Sequence, residues 1–201
     1  MITALTFEKF HCNQFLKNFG FNVAEAVLIK KADTINSSSI VEQVGLPCFV
    51  KPKADGSSFG ITKVPAKKNL KNAIDHVFSH GTQVVIEEFI DGRELTNGVF
   101  TSKEDIKVLP VTEIVTDNEF FDNATKYNGE SIEFKPADID SALTLKIYAI
   151  LNLKGIARID YIVTAKETLY IIKINTVPGQ SAESIIPQMA EVEGIGLEEL
   201  V

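Results

Sequence analysis

The run Arg158-Ile159-Asp160, answered by Lys173-Ile174-Asn175-Thr176-Val177-Pro178-Gly179, decides how this chain is read. Ile156–Val163 and Leu169–Ile174 are short apolar segments in close succession, which predicts a β-hairpin. Side chains two residues apart on a strand share a face. Arg158 and Asp160 therefore lie together, and Lys173 and Asn175 repeat the pattern on the next strand. Four polar groups on one face of otherwise apolar strands are costly to bury unless they meet ions or a ligand. Asp and Asn supply oxygen ligands of the kind that hold Mg²⁺ together with phosphates; a solvated sheet face is the plainer account. After the hairpin, Asn175–Ser181 is a Pro/Gly loop able to present backbone N–H groups, and Ser184 opens a helix predicted over Ile185–Glu193. Unpaired N–H groups and the dipole make such a start an anion site, although an ordinary helix cap also explains a serine there.

Outward from this stretch the chain alternates strands and helices. Ile139–Leu153 reads as an amphipathic helix. Residues 117–136 form a long, polar, aromatic-rich stretch without periodicity, as lid loops and disordered segments do. Lys126-Tyr127 inside it would let a lid close over a polyphosphate; a solvent-exposed lysine is the alternative. Arg93–Thr101 and Ile106–Val115 predict a second hairpin. Val84–Ile90 is a strand whose Glu87 and Glu88 point to opposite faces by alternation. One is placed to meet a ribose while the neighbouring backbone meets an adenine edge, or both run into solvent.

Upstream lie a helix with Leu70, Ala73, Ile74, Val77 and Phe78 on one face, a strand over Ile61–Val64 and a strand over Cys48–Pro52. Lys51 beside Gly56-Ser57-Ser58-Phe59-Gly60 is a phosphate-cradle arrangement: glycine backbone approaches an anion, hydroxyls donate, and lysine adds charge. It is not a Walker A motif, and a Gly/Ser turn accounts for it as well. A helix ending at Gly45, capped by Ser37, Ser38 or Ser39, a strand over Ala24–Ile29 and one helix over Thr3–Phe19 complete the chain. The fold class is α+β, in two lobes, 1–83 and 84–201.

The charge balance is 20 Lys and Arg against 27 Asp and Glu, a net charge of −7 over 201 residues. Phosphate-backbone binding needs a basic surface, so nucleic acid is disfavoured as a partner. No apolar run reaches the length of a membrane span, and the first residues lack the pattern of a signal peptide. Cys12 and Cys48 lie apart in apolar segments and His11, His76 and His80 are scattered, which points to inert thiols in the cytoplasm and to no histidine-based metal site.

These pieces, taken in order, resemble the D-alanine–D-alanine ligases of the ATP-grasp superfamily. The matching stretches are Leu46–Pro52 with Gly56–Gly60, Glu87–Glu94, Lys126-Tyr127, Arg158–Asp160, and Asn175–Gly179 with Ser184. The resemblance implies two lobes with ATP between them. One D-alanine carboxylate attacks the γ-phosphate, and the amine of a second D-alanine displaces phosphate from the acyl phosphate. It places Lys9 and Lys51 on the ATP phosphates and Ser57 and Ser58 in the closing loop. Glu87, Glu88, Phe89 and Ile90 would line the adenine and hinge pocket, with Glu94 on the ribose. Lys126 would reach the γ-phosphate and Tyr127 would help close the lid. Arg158 and the Gly179 backbone would stabilise the oxyanion, Asp160 and Asn175 would hold Mg²⁺ (or Mn²⁺), and Ser184 and Ile185 would bind the acceptor D-alanine. A homodimer is the usual arrangement of intact members.

Two departures qualify this. The family carries a further N-terminal domain ahead of the helix at Thr3, so a fragment with impaired catalysis is expected. The family also has glutamate where this chain has Lys173, which should pair with Asp160 and repel a divalent cation. A non-catalytic nucleotide-binding module and a ligase for another carboxylate and amine are the alternatives.

Overall fold

The computed structural model describes residues 2–53, 60–102, 105–115, 133–137 and 140–200. The expected single N-terminal helix is two, α1 (Ile2–Phe7) and α2 (Lys9–Lys17). The chain leaves helical geometry at Glu8 (φ −83°, ψ 74°), whose carboxylate instead meets Lys53 at 2.7 Å and His11 at 3.1 Å.

The first sheet contains β1 (Ala26–Lys30), β2 (Cys48–Pro52), β3 (Thr62–Val64) and β4 (Gln83–Glu88), in the order β1-β4-β2-β3 and antiparallel throughout. Two helices, α3 (Ser37–Val44) and α4 (Lys67–His80), cover one face. Alternation sends Cys48, Val50, Val84 and Ile86 into that core with Ile40, Val44, Leu70 and Ile74. It leaves Phe49, Lys51, Val85 and Glu87 on the opposite face. The cap of α3 is not one of the expected serines. Asn36 accepts from the Ser38 and Ser39 N–H groups at 3.1 and 3.2 Å, since an extended residue one position earlier reaches both orphan donors.

The second sheet contains β5 (Arg93–Ser102), β6 (Asp105–Val108), β7 (Thr112–Val115), β8 (Glu133–Pro136), β9 (Ala157–Val163) and β10 (Leu169–Asn175). Its order is β10-β9-β5-β7-β8, with β6 also on β5. The strand expected over Ile106–Val115 is therefore two. Pro110 has no N–H for the ladder, and the buried Asn97 side chain donates to the Leu109 carbonyl at 2.6 Å. The end of the expected 117–136 loop is a strand, because β8 pairs with β7. Residues 117–130, with Lys126 and Tyr127, lie outside the described residues, as do Ser57 and Ser58.

One face of this sheet packs Leu95, Val99, Ile159, Tyr161, Ile171 and Ile174 against α2 and α5 (Ala142–Ile150), the latter shorter than the expected Ile139–Leu153. The N-terminal residues Cys12, Leu16, Phe21 and Val23 belong to this second core. Under the other face, Phe100 and Leu109 meet Ile186, Met189 and Ala190 of α6 (Ile185–Val192) and Leu200 of α7 (Leu197–Leu200). A Cβ on Gly98 would come 2.6 Å from the Ile186 Cδ1, so glycine in β5 lets α6 lie close to the sheet. Among the described residues no helix is long and apolar enough to cross a membrane.

Candidate functional site

The polar face of the second sheet is assembled by register. Asp160 lies between Thr96 of β5 and Lys173 of β10, and Arg158 lies between Gly98 and Asn175. Strict alternation along β10 would put Lys173 with the buried Ile171. A bulge between them moves Lys173 and Asn175 onto the Arg158 and Asp160 face, while Ile171 and Ile174 both stay in the core. The expected four-residue cluster thus exists, and it needed one extra residue in the strand.

Within it Arg158 grips Asp160 with two bonds, Nε to Oδ1 at 2.9 Å and a terminal nitrogen to Oδ2 at 3.0 Å. The Thr96 hydroxyl donates to the same Oδ1 at 2.8 Å. Burial pushes the Asp160 pKa up, but the Arg158 charge and hydrogen bonds, the Lys173 charge and Thr96 outweigh it, so the carboxyl is held below its ordinary range. For Lys173 burial is the largest influence and lowers its pKa. The Arg158 charge adds to this, and Asp160 and Glu94 oppose it. Burial also works against the Arg158 charge, yet Asp160 and Glu94 more than compensate and keep the guanidinium firmly protonated. Glu94, two residues before Thr96, completes the electrostatic group.

The loop after β10 is folded by its own side chains. Asn175 Oδ1 accepts the Val177 N–H at 3.1 Å, and Thr176 meets Thr6 of α1 at 3.1 Å. Gly179 passes so close to Ser184 that a Cβ would sit 2.7 Å from its Oγ. Ser184 stands at the N-cap of α6 but makes no side-chain cap bond; its hydroxyl meets Ser181 at 3.0 Å. The helix-cap account of Ser184 therefore fails. Ile185, next along, is half-buried against the core of α6.

On the open face of the first sheet, Lys51 and Glu87 pair at 2.7 Å, diagonally across β2 and β4, with side chains 17% and 12% exposed. Lys9, Phe10, Lys51, Pro52, Lys53, Ile61 and Val85 line one crevice. Three lysines from two distant parts of the chain thus converge at the end of β2. Phe89 meets Phe49 with ring centroids 5.6 Å apart, and the Lys63 ammonium lies 4.3 Å from the Phe89 centroid. Ile90 is buried beyond them. Glu88 points the other way and accepts the Glu25 N–H at 3.0 Å, fastening the segment before β1.

Sequence reading missed Phe49, Lys53, Lys63 and Thr96. Each acts through a partner on another strand or helix, and only the pairing register reveals that. The expected cation pair is tested by the same geometry. Both Asp160 oxygens are engaged by Arg158, the Asn175 oxygen is turned into its own loop, and Lys173 stands beside them. Among the described residues no group of three His, Cys, Asp or Glu gathers. Mg²⁺ demands near-octahedral oxygen ligands, and this donor set does not fit it.

A family model described as the D-ala D-ala ligase C-terminus matches residues 15–201. The D-alanine–D-alanine ligase of Phocaeicola vulgatus is 44% identical over all of this chain and 64% of its own length. That of Flavobacterium johnsoniae is 45% identical over 98% of the chain and 63% of its own. The chain thus spans just under two thirds of the curated relatives it matches. Among solved structures, the VanG D-Ala:D-Ser ligase of Enterococcus faecalis superposes with a TM-score of 0.81 at 31% identity, covering 99% of this chain and 60% of the other. A Bacillus anthracis D-alanine–D-alanine ligase complexed with ATP gives 0.80 at 25%, covering 99% and 64%. Its two antiparallel sheets with flanking helices are the expected α+β ATP-grasp fold, and the chain belongs to the D-alanine–D-alanine ligase C-terminal family.

Proposed function

We propose that this chain is the ATP-binding portion of a D-alanine–D-alanine ligase, the cytoplasmic enzyme that supplies the dipeptide for peptidoglycan. The observation that carries this is the convergence of Lys9 and Lys51 on one crevice, with Glu87 and Phe89 on the same side of the sheet. Lysine ammonium groups suit phosphate oxygens, and the Phe49, Phe89 and Ile90 surface suits a planar base. The proposal includes two lobes meeting near residue 83; β4 and the helices α1 and α2 are the parts whose packing crosses that boundary.

In this reading ATP phosphates lie over Lys9 and Lys51, with Lys126 and Ser57-Ser58 closing from their loops. Glu94 takes the ribose. Arg158 and the Gly179 N–H face the oxyanion formed when an amine attacks the acyl phosphate, where preorganised donors contribute most to catalysis. Ser184 and Ile185 hold the acceptor. Arg158 is already oriented by its two bonds to Asp160, so little reorganisation is needed at that group.

Calorimetry with ATP tests the reading. Micromolar-range binding is expected, with Lys51→Met weakening it by about tenfold, or 1.4 kcal/mol. The same variant strands Glu87, which lowers unfolding stability by about 3 kcal/mol; urea titration measures this separately. Absence of ATP binding refutes the assignment. Lys173, directly across β10 and β9 from Asp160, favours a second reading, a nucleotide-binding module without turnover. Phosphate release with D-alanine, or with D-serine as acceptor, separates the two.

A further inference from the structure

We propose that the phosphate end of this site works without a divalent cation, the Lys173 ammonium supplying the positive charge, so that the chain takes a nucleoside triphosphate as its metal-free anion. This rests on the ATP reading above. The cluster of Arg158, Lys173, Asp160 and Glu94 is already balanced, two positive charges against two negative. A divalent ion added there would meet two cations at cross-strand distance. It would also find Asp160 Oδ1 bonded to Arg158 and Thr96, Oδ2 bonded to Arg158, and Asn175 Oδ1 bonded to Val177. Mg²⁺ parts with its water reluctantly and wants free oxygens. A phosphate oxygen wants the opposite, N–H donors, and Lys173 and Arg158 offer them from one face. The placement of Lys173 is built into the fold. The β10 bulge turns it to this face, directly across from Asp160.

The test is titration of the whole chain with ATP, once in EDTA and once with excess Mg²⁺, alongside Lys173→Glu and Lys173→Met. Wild type is expected to bind at least about tenfold more tightly in EDTA than in excess Mg²⁺, which sequesters the metal-free triphosphate. Lys173→Glu should bind at least about tenfold more tightly with Mg²⁺ than without. Lys173→Met should lose affinity in both buffers without rescue by the metal. Mn²⁺ with ATP, followed by electron paramagnetic resonance, gives a readout independent of turnover. Mn²⁺ should show no protein oxygen ligands in wild type and should gain them in Lys173→Glu. Wild-type binding that is equal in the two buffers, or tighter with Mg²⁺, overturns the proposal and leaves the ATP reading standing. Failure to bind ATP in every buffer overturns both. Should circular dichroism show Lys173→Glu unfolded, the two wild-type titrations decide.

Discussion

Asp160 keeps its charge against burial. Burial opposes its ionisation, while Arg158, Lys173 and Thr96 hold its carboxyl below the ordinary value. A carboxyl with a lowered folded pKa contributes stability that is complete above its unfolded value, about 4, and is lost as pH falls through the folded value. Wild type should therefore lose urea stability on acidification below about pH 4, and Asp160→Asn should lack that part of the loss. A difference between the two that stays constant from pH 7 to pH 3 would count against the Arg158 pairing. The cysteines show burial acting without partners. It pushes the Cys12 thiol up to about 11 and raises Cys48 as well. Neither should react with a thiol reagent at pH 8 in the folded chain, and both should react in urea. Their inertness was legible in sequence because an apolar neighbourhood is a local pattern. The bidentate Arg158 grip was only partly legible: i, i+2 spacing put the two side chains on one face, but Thr96 is 64 positions away.

At the scale of elements, the connection from β4 to β5 sets how the two sheets are joined. Gly92 lies so close to the end of β9 that a Cβ would come 2.2 Å from the Val163 carbonyl oxygen. The obstacle is backbone, so it cannot turn aside. Gly92→Ala should destabilise the chain by about 2–3 kcal/mol, read as a lower urea midpoint. In the sequence, Asp91-Gly92 reads as a turn signal and nothing more. Strand and helix existence along the chain was largely readable from periodicity, and the elements carrying Lys51, Glu87, Arg158 and Asn175 lie where it put them. Boundaries set by single long-range contacts were not. Glu8, at the break between α1 and α2, meets Lys53, and Asn97 bonds the Leu109 carbonyl between β6 and β7.

Across the whole molecule, the chain does not build its two sheets and their cores in sequence order. Leu16, fully buried, packs with Ile159 and Ile171 of the second sheet although the first sheet follows it in the chain. Val23 bridges to Ile171 as well. Leu16→Ala should cost about 3 kcal/mol. Hydrogen exchange should show the loss in β9 and β10, with α4 and β4 retaining their protection. Loss confined to the first sheet would mean that the N-terminal helices belong there instead. The net charge of −7 fits the same picture. The molecule is acidic overall, and its positive charge gathers locally, at Lys9, Lys51 and Lys53 around one crevice of the first sheet and at Arg158 and Lys173 on one face of the second.

The sequence by itself determined the α+β class, the hairpin with its polar face, the opposed carboxylates of Glu87 and Glu88, and the family. These follow from periodicity and short spacing, which are properties of neighbouring residues. Tertiary structure alone decided which lysines share a crevice, where the bulge in β10 falls, and that Asp160 and Asn175 spend their oxygens on Arg158, Thr96 and Val177. Those outcomes depend on register and packing between segments far apart in the chain, where one residue of slip exchanges the core face for the open one.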